Sequence, residues 1–275
     1  MKSNYRYIVK AFMAMAVIAG TTSCDDFLDR EPMSSISPET YYSTAAQLEA
    51  NLNDEYPNVL PSFGQWTYGI FGEDKGTDNQ IEVNANDRYT QDRWKVPHSE
   101  SDNWKFERIY RINFFLSEAL PKFGEDMSGS QNTISGSVAT IKHYIGEMYF
   151  LRAYEYFKKL QLFGDFPIIN QPLADEMEAL REASKRFPRN EVARFIISDL
   201  DKAYAYMSDV DMATTRINKD VAMLVKSRVA LFEATWLQNF KGTAFVPGGE
   251  GWPGASLHNN YQYPSGNIDN EVKYF

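Results

Sequence analysis

Apolar residues along much of this chain recur at helical spacing. Phe106, Ile109, Asn113, Leu116 and Leu120 lie 3, 4, 3 and 4 apart, which predicts one face of a helix over about 103–120. Beyond a Gly/Ser-rich bridge from Gly129 to Ser137, a longer helix is expected to end near Phe163. Its middle, Met148-Tyr149-Phe150-Leu151 and Ala153-Tyr154, is apolar on nearly every side, so this helix should be central. Gly164-Asp165-Phe166-Pro167 breaks it. Val192, Ile196, Leu200, Ala203 and Met207 make the next stripe, and Val221, Val225, Val229, Phe232 and Trp236 the last. Near the start, Ser37-Pro38-Glu39 reads as a helix opening. Thr44 with Gln47 makes a capping box for a helix to about Tyr56, with Pro57 and Pro61 stopping it. The fold class expected is mainly α, in tetratricopeptide-like helical pairs joined by long loops. No clean 34-residue repeat signature accompanies the pairing.

Two regions lack this period. Residues 62–102 are punctuated by Gly64, Gly69, Gly72 and Gly76, with aromatics interleaved among Asp, Asn and Arg. Loops of that length in a compact domain are more often functional than incidental. Residues 241–275 are rich in Gly, Pro and aromatics and are expected to be loop-like, without a closing element.

The first residues form a separate unit. Lys2, Arg6 and Lys10 precede an apolar run from Ala11 to Gly20, followed by Thr21, Thr22, Ser23 and the lone Cys24. A basic start, an apolar stretch of about 10 residues and small residues at its exit mark a secretory signal peptide. The run falls short of the about 20 residues a transmembrane helix needs. A small residue followed by cysteine resembles the lipobox of bacterial lipoproteins, although Thr21 stands where an aliphatic residue is usual. Cys24 is therefore the candidate lipidation site. The expected organisation is a signal peptide over 1–23, a lipidated acidic tether over 24–36 and a helical domain over 37–240 carrying the 62–102 loop. The loop-rich 241–275 would then begin an incomplete C-terminal region.

Composition narrows the function. The 275 residues carry a formal charge of −9, and removing residues 1–23 would take away three bases and no acid. That balance argues against nucleic acid, which calls for a basic face. One cysteine cannot make an internal disulfide or a thiolate zinc cluster. His98, His143 and His258 lie far apart, and no HExxH, GxSxG or Walker A motif occurs. No cofactor, metal or catalytic residue is assigned. A glycosidase needs only two carboxylates, and 37 acidic residues leave that alternative open.

Several stretches in collinear order resemble the SusD/RagB family of outer-membrane nutrient-binding lipoproteins. They are Cys24-Asp25-Asp26-Phe27-Leu28-Asp29 with Glu31-Pro32, then Ser37-Pro38-Glu39-Thr40-Tyr41-Tyr42 leading to Leu48 and Tyr56. Trp104, Tyr110, Ile112 and Asn113 follow. The most recognisable segment is Glu147 to Tyr154 with Phe163-Gly164-Asp165-Phe166-Pro167. Arg189, Asp199-Leu200 and Ala203, then Arg216 to Leu231, complete the series. The resemblance implies a lipid-anchored protein of the outer membrane, facing the cell exterior. Such a protein captures oligosaccharides or peptides for a SusC-like TonB-dependent transporter. Family members are usually much longer, so this chain resembles their first part.

Glycan capture needs flat aromatic faces for stacking and polar side chains for hydroxyl groups. The 62–102 loop offers Tyr89 and Trp94 as platforms and Asp74, Asp78, Asn79, Arg88 and Arg93 as polar partners. Trp252, His258, Tyr261 and Tyr263 could form a second wall, or core left exposed. Glu147 and Arg152, five apart in an apolar helix, are expected to pair with neighbouring helices, and Asn113 to bond backbone. His143 and Glu147, four apart, read as surface or interhelix polar residues rather than metal ligands. Besides a surface glycosidase, a non-binding structural lipoprotein is the remaining alternative.

Overall fold

The computed structural model describes residues 41–61, 79–80, 103–124, 126–208, 212–213 and 215–275. All helices described belong to the unit Tyr42–Phe275. They are α1 (Ala45–Val59), α2 (Glu107–Phe123), α3 (Val138–Phe163), α4 (Met177–Ala183), α5 (Arg189–Tyr206), α6 (Lys219–Asn239) and α7 (Ile268–Tyr274). No strand occurs among the described residues; two isolated bridges, Thr44 with Ser135 and Phe166 with Phe187, pin loops to their neighbours. The expected Ser37-Pro38 helix start, the signal peptide and Cys24 lie outside the described residues.

The arrangement is the expected mainly α one. α3 is the hub: α1, α2 and α5 all pack on it, α6 packs on α5, and α7 on α6. Its buried residues run around the whole circumference from Ile141 to Leu160, as its unbroken apolar middle predicts. Ser137 caps its start by accepting from the Thr140 N–H, and Gly164 ends it at φ 69°, a conformation that glycine adopts without steric cost. Gly146 lets α3 approach α5. A Cβ there would lie 2.9 Å from the Ala203 carbonyl oxygen and 2.9 Å from the Met207 nitrogen.

Three local expectations are corrected. The Thr44–Gln47 capping box forms, but α1 runs past Pro57 to Val59. Pro57 sits in the last turn, where its missing N–H forfeits one helical hydrogen bond, and Leu60 N–H still closes on the Tyr56 carbonyl at 2.9 Å. In α6 the buried positions are Ala222, Val229, Glu233 and Leu237, while Val221 is 37% exposed. The inner face is turned so that a carboxylate occupies a core position, and hydrophobic periodicity cannot register that. The 241–275 segment is not loop alone. Asn267 caps α7 by accepting from the Asn270 N–H, and α7 closes the described chain against α6.

Buried ion pairs hold the helices in register. Arg152 of α3 donates to Asp199 of α5 through Nε at 2.6 Å and Nη2 at 2.8 Å. Its Nη1 donates to Asn113 Oδ1 of α2, whose Nδ2 donates to the Ile169 carbonyl. Glu147 accepts from Arg216 Nε and Nη2, and from the Tyr56 hydroxyl at 2.6 Å, which ties α1, α3 and the lead into α6 together. Burial, with the Glu147 charge beside it, holds the Tyr56 hydroxyl far above its ordinary range. His143 is buried: its Nδ1 accepts from the Ser208 N–H, and its Nε2 faces the Ile217 carbonyl and Glu147. Glu147 and Arg152 thus bind neighbouring helices, Asn113 bonds backbone, and His143 is an interhelix residue, as read from the sequence.

Candidate functional site

Of the predicted ligand residues, Asn79 is described and is exposed. Asp74, Asp78, Arg88, Tyr89, Arg93 and Trp94 lie outside the described residues. The chain on either side of that loop is fixed by α3. Lys158 Nζ donates to the Val59 carbonyl at 3.1 Å, and Lys159 Nζ donates to the Asn103 carbonyl at 2.7 Å. Glu155, one turn earlier, pairs with both lysines. Two adjacent side chains of the central helix therefore grip the backbone just before and just after residues 62–102.

The same end of α3 borders a cavity of about 300 Å³. Phe163, Trp236 and Phe245 supply aromatic wall, and Asp165, Arg186 and Arg189 supply charge. Each is placed by a specific contact. The Trp236 indole N–H donates to the Phe245 carbonyl at 3.0 Å and so fixes the loop that carries Phe245. The Arg189 guanidinium lies 4.1 Å from the Trp236 ring centre and binds Glu233 through Nε and Nη2. Arg186 lies 4.6 Å from the ring centre of Trp104. Asp165 Oδ1 accepts from the Arg189 backbone N–H at 2.9 Å and so caps α5 from a distance, because Pro188 at its start has no capping side chain. Burial raises the Asp165 carboxyl above its usual range, against hydrogen bonds that pull it down.

The tail aromatics are not core left exposed. Trp252 is 5% exposed and donates to Asp165 Oδ2 at 2.7 Å, forming part of the cavity lining. Tyr261 donates to Asn190, Tyr263 to the Pro247 carbonyl, and His258 Nε2 lies 2.7 Å from the Arg186 carbonyl. The rings pack on one another, with Trp252 to His258 stacked at 6.0 Å and Tyr261 to Tyr263 edge-on at 5.2 Å. Their polar ends fasten the tail to α5 and to the loop before it.

Sequence reading did not bring the cavity residues together as a site. Trp236 read as one of a helix stripe, and Asp165 and Arg189 as separate motif positions. Nothing in local spacing joins residues 165, 189, 236 and 245; they meet because α5 and α6 pack side by side and the tail folds back. Among the described residues no group of three His, Cys, Asp or Glu side chains could hold a metal ion. No described helix is long and apolar enough to cross a membrane.

Known proteins resemble this chain over most of its length. The SusD-like_3 family model, described as "Starch-binding associating with outer membrane", matches residues 26–231. The chain belongs to that family of SusD-like proteins. Two curated relatives from Formosa agariphila are 25% identical. SusD-like protein P2 matches over 253 residues, 88% of this chain and 46% of its own length. SusD-like protein P25 matches over 233 residues, 78% of this chain and 41% of its own. A solved SusD-like carbohydrate binding protein from Bacteroides vulgatus is 16% identical with a TM-score of 0.48, covering 71% of this chain and 43% of that one. The chain thus spans less than half the length of the curated relatives it matches.

Proposed function

We propose that this protein is a surface-exposed lipoprotein of the outer membrane that binds nutrient oligosaccharides, or peptides, without cleaving them. In this reading it passes them to a SusC-like TonB-dependent transporter. The observation that carries the reading is the family match over residues 26–231, whose description joins starch binding to the outer membrane. Cys24 is the anchor, acylated after removal of residues 1–23; several acyl chains hold a protein to a membrane where a single one does not. The 62–102 loop is the ligand-contacting segment, with Tyr89 and Trp94 stacking on sugar rings and Asp74, Asp78, Asn79, Arg88 and Arg93 bonding hydroxyl groups. Its gripped flanks support this, because a loop fixed at both ends loses less freedom on binding. Binding rather than catalysis fits the buried carboxylates Glu147, Asp199 and Glu233, each of which is held by an arginine.

Affinity electrophoresis of the full chain against a panel of polysaccharides tests the proposal. At least one glycan should retard the wild type, with Trp94→Ala running close to its glycan-free mobility. Equal retardation of Trp94→Ala would remove the loop from the site, and no retardation by any glycan would remove carbohydrate as the ligand.

A further inference from the structure

We propose that the cavity beside Gly164 is a binding site for a single neutral pyranose residue, built from residues outside the 62–102 loop. The inference rests on the glycan-binding reading and adds to it a second point of contact.

The argument starts from Arg189. Its side chain is 4% exposed. Nε and Nη2 are taken up by Glu233, whereas Nη1 has no hydrogen-bond partner among the described residues. Nη1 is not among the buried atoms that lack a partner, so this donor is reached from outside and is free to bond what enters the cavity. Nη1 lies on the Gly164 side of the cavity, where a Cβ added to that glycine would come within 3.4 Å of it. The absent side chain keeps the guanidinium edge open to the cavity, and φ 69° at Gly164 disfavours any other residue there.

Asp165 lines the same cavity. Each of its carboxylate oxygens accepts one hydrogen bond from the protein, Oδ1 from the Arg189 N–H and Oδ2 from Trp252 Nε1. A carboxylate has about four acceptor positions, so two stay available. A donor edge and an acceptor in one cavity suit hydroxyl groups, which give and take hydrogen bonds at once. Phe245, 61% exposed, adds a flat apolar face on which the C–H side of a sugar ring packs, and Trp236, with Arg189 over its ring, completes the aromatic lining.

The chemistry excludes other occupants. Glu233 matches the charge of Arg189, which leaves Arg186 against Asp165 and a balanced lining that favours a neutral ligand, and an apolar ligand would give Arg189 Nη1 nothing to bond. Size limits the length of the ligand. At about 300 Å³ the cavity is at the small end of ligand sites, which span roughly 300–1,000 Å³. It holds one ring rather than an extended chain, so it would take a chain end or a branch.

Saturation-transfer NMR on the full chain with free glucose, galactose and mannose, and with glucuronate as the charged comparison, tests the site. Transfer to at least one neutral hexose is expected, with little to glucuronate. Measured in a Trp94→Ala background that removes the loop platform, Phe245→Ala, which removes an exposed wall, and Ala244→Leu, which fills the cavity, should each cut the hexose signal about fivefold. Far-UV circular dichroism checks that both cavity variants keep their helices. Absence of hexose transfer in the wild type, undiminished transfer in a folded cavity variant, or stronger transfer to glucuronate overturns the proposal. Polysaccharide retardation without hexose transfer sinks the cavity site and leaves the loop reading standing; hexose transfer without retardation does the reverse.

Discussion

Arg152 donates two short hydrogen bonds to Asp199 in the middle of the stack, with Asp199 fully buried and Arg152 3% exposed. Removing one partner of such a pair strands the other charge, a cost of about 3–5 kcal/mol, whereas replacing both with apolar residues is often nearly neutral. Asp199→Ala should therefore lower the urea midpoint sharply, and Arg152→Met with Asp199→Leu should recover much of the loss. Equal midpoints for wild type and Asp199→Ala would contradict the pairing. Glu271 sets an acid limit. Burial pushes its carboxyl up, but hydrogen bonds from the side chains of Arg194, Asn190 and Ser265, with the Arg194 charge, together outweigh burial and bring it below the usual range. A carboxyl lowered in the folded state contributes stability above its unfolded value of 4.5, and that contribution is lost as pH falls toward the folded value. Thermal melts between pH 6 and about pH 3 should show a shallower acid loss for Glu271→Gln than for wild type; parallel curves would count against this. At this scale the sequence was informative in one direction only. A Glu and an Arg inside an apolar helix must be satisfied by something, so their structural role was legible. Their partners Asp199 and Arg216 lie 47 and 69 residues away, and only the packing of α3 on its neighbours selects them.

At the scale of elements, close approach of α3 to α5 depends on Gly146. An exposed helical glycine replaced by alanine usually gains stability, about 1 kcal/mol from backbone preference. Here the new Cβ would meet backbone atoms of α5 at 2.9 Å, and overpacking of this kind costs about 1–3 kcal/mol. Gly146→Ala should therefore melt lower than wild type, and a higher melting temperature would show that the helices separate freely. Helices with an unbroken apolar stripe, α2, α3 and α5, were legible because the burial of one face leaves a period in the sequence. The α6 stripe was misplaced because Glu233 takes a core position, and α7 went unread because 7 residues carry too little period. Pro57 misled for a different reason: a proline in a last turn removes a bond the helix can lose. The grip of Lys158 and Lys159 on Val59 and Asn103 had no sequence signal, because a lysine bonding a distant carbonyl looks like any surface lysine.

For the whole molecule, family membership joins the helical scaffold to a working hypothesis of glycan capture at an outer membrane. At one end of α3 the chain on either side of residues 62–102 is gripped and the aromatic cavity opens. Capture and cleavage make opposite demands on such a site, since a binder must release its ligand unchanged. The direct measurement is calorimetric titration of the full chain with the glycan that retards it most, followed by assay of new reducing ends in the same sample. Saturable heat with no release of reducing ends is the result this account predicts. Release of reducing ends that rises with protein concentration, or no heat with any glycan in the panel, would contradict it.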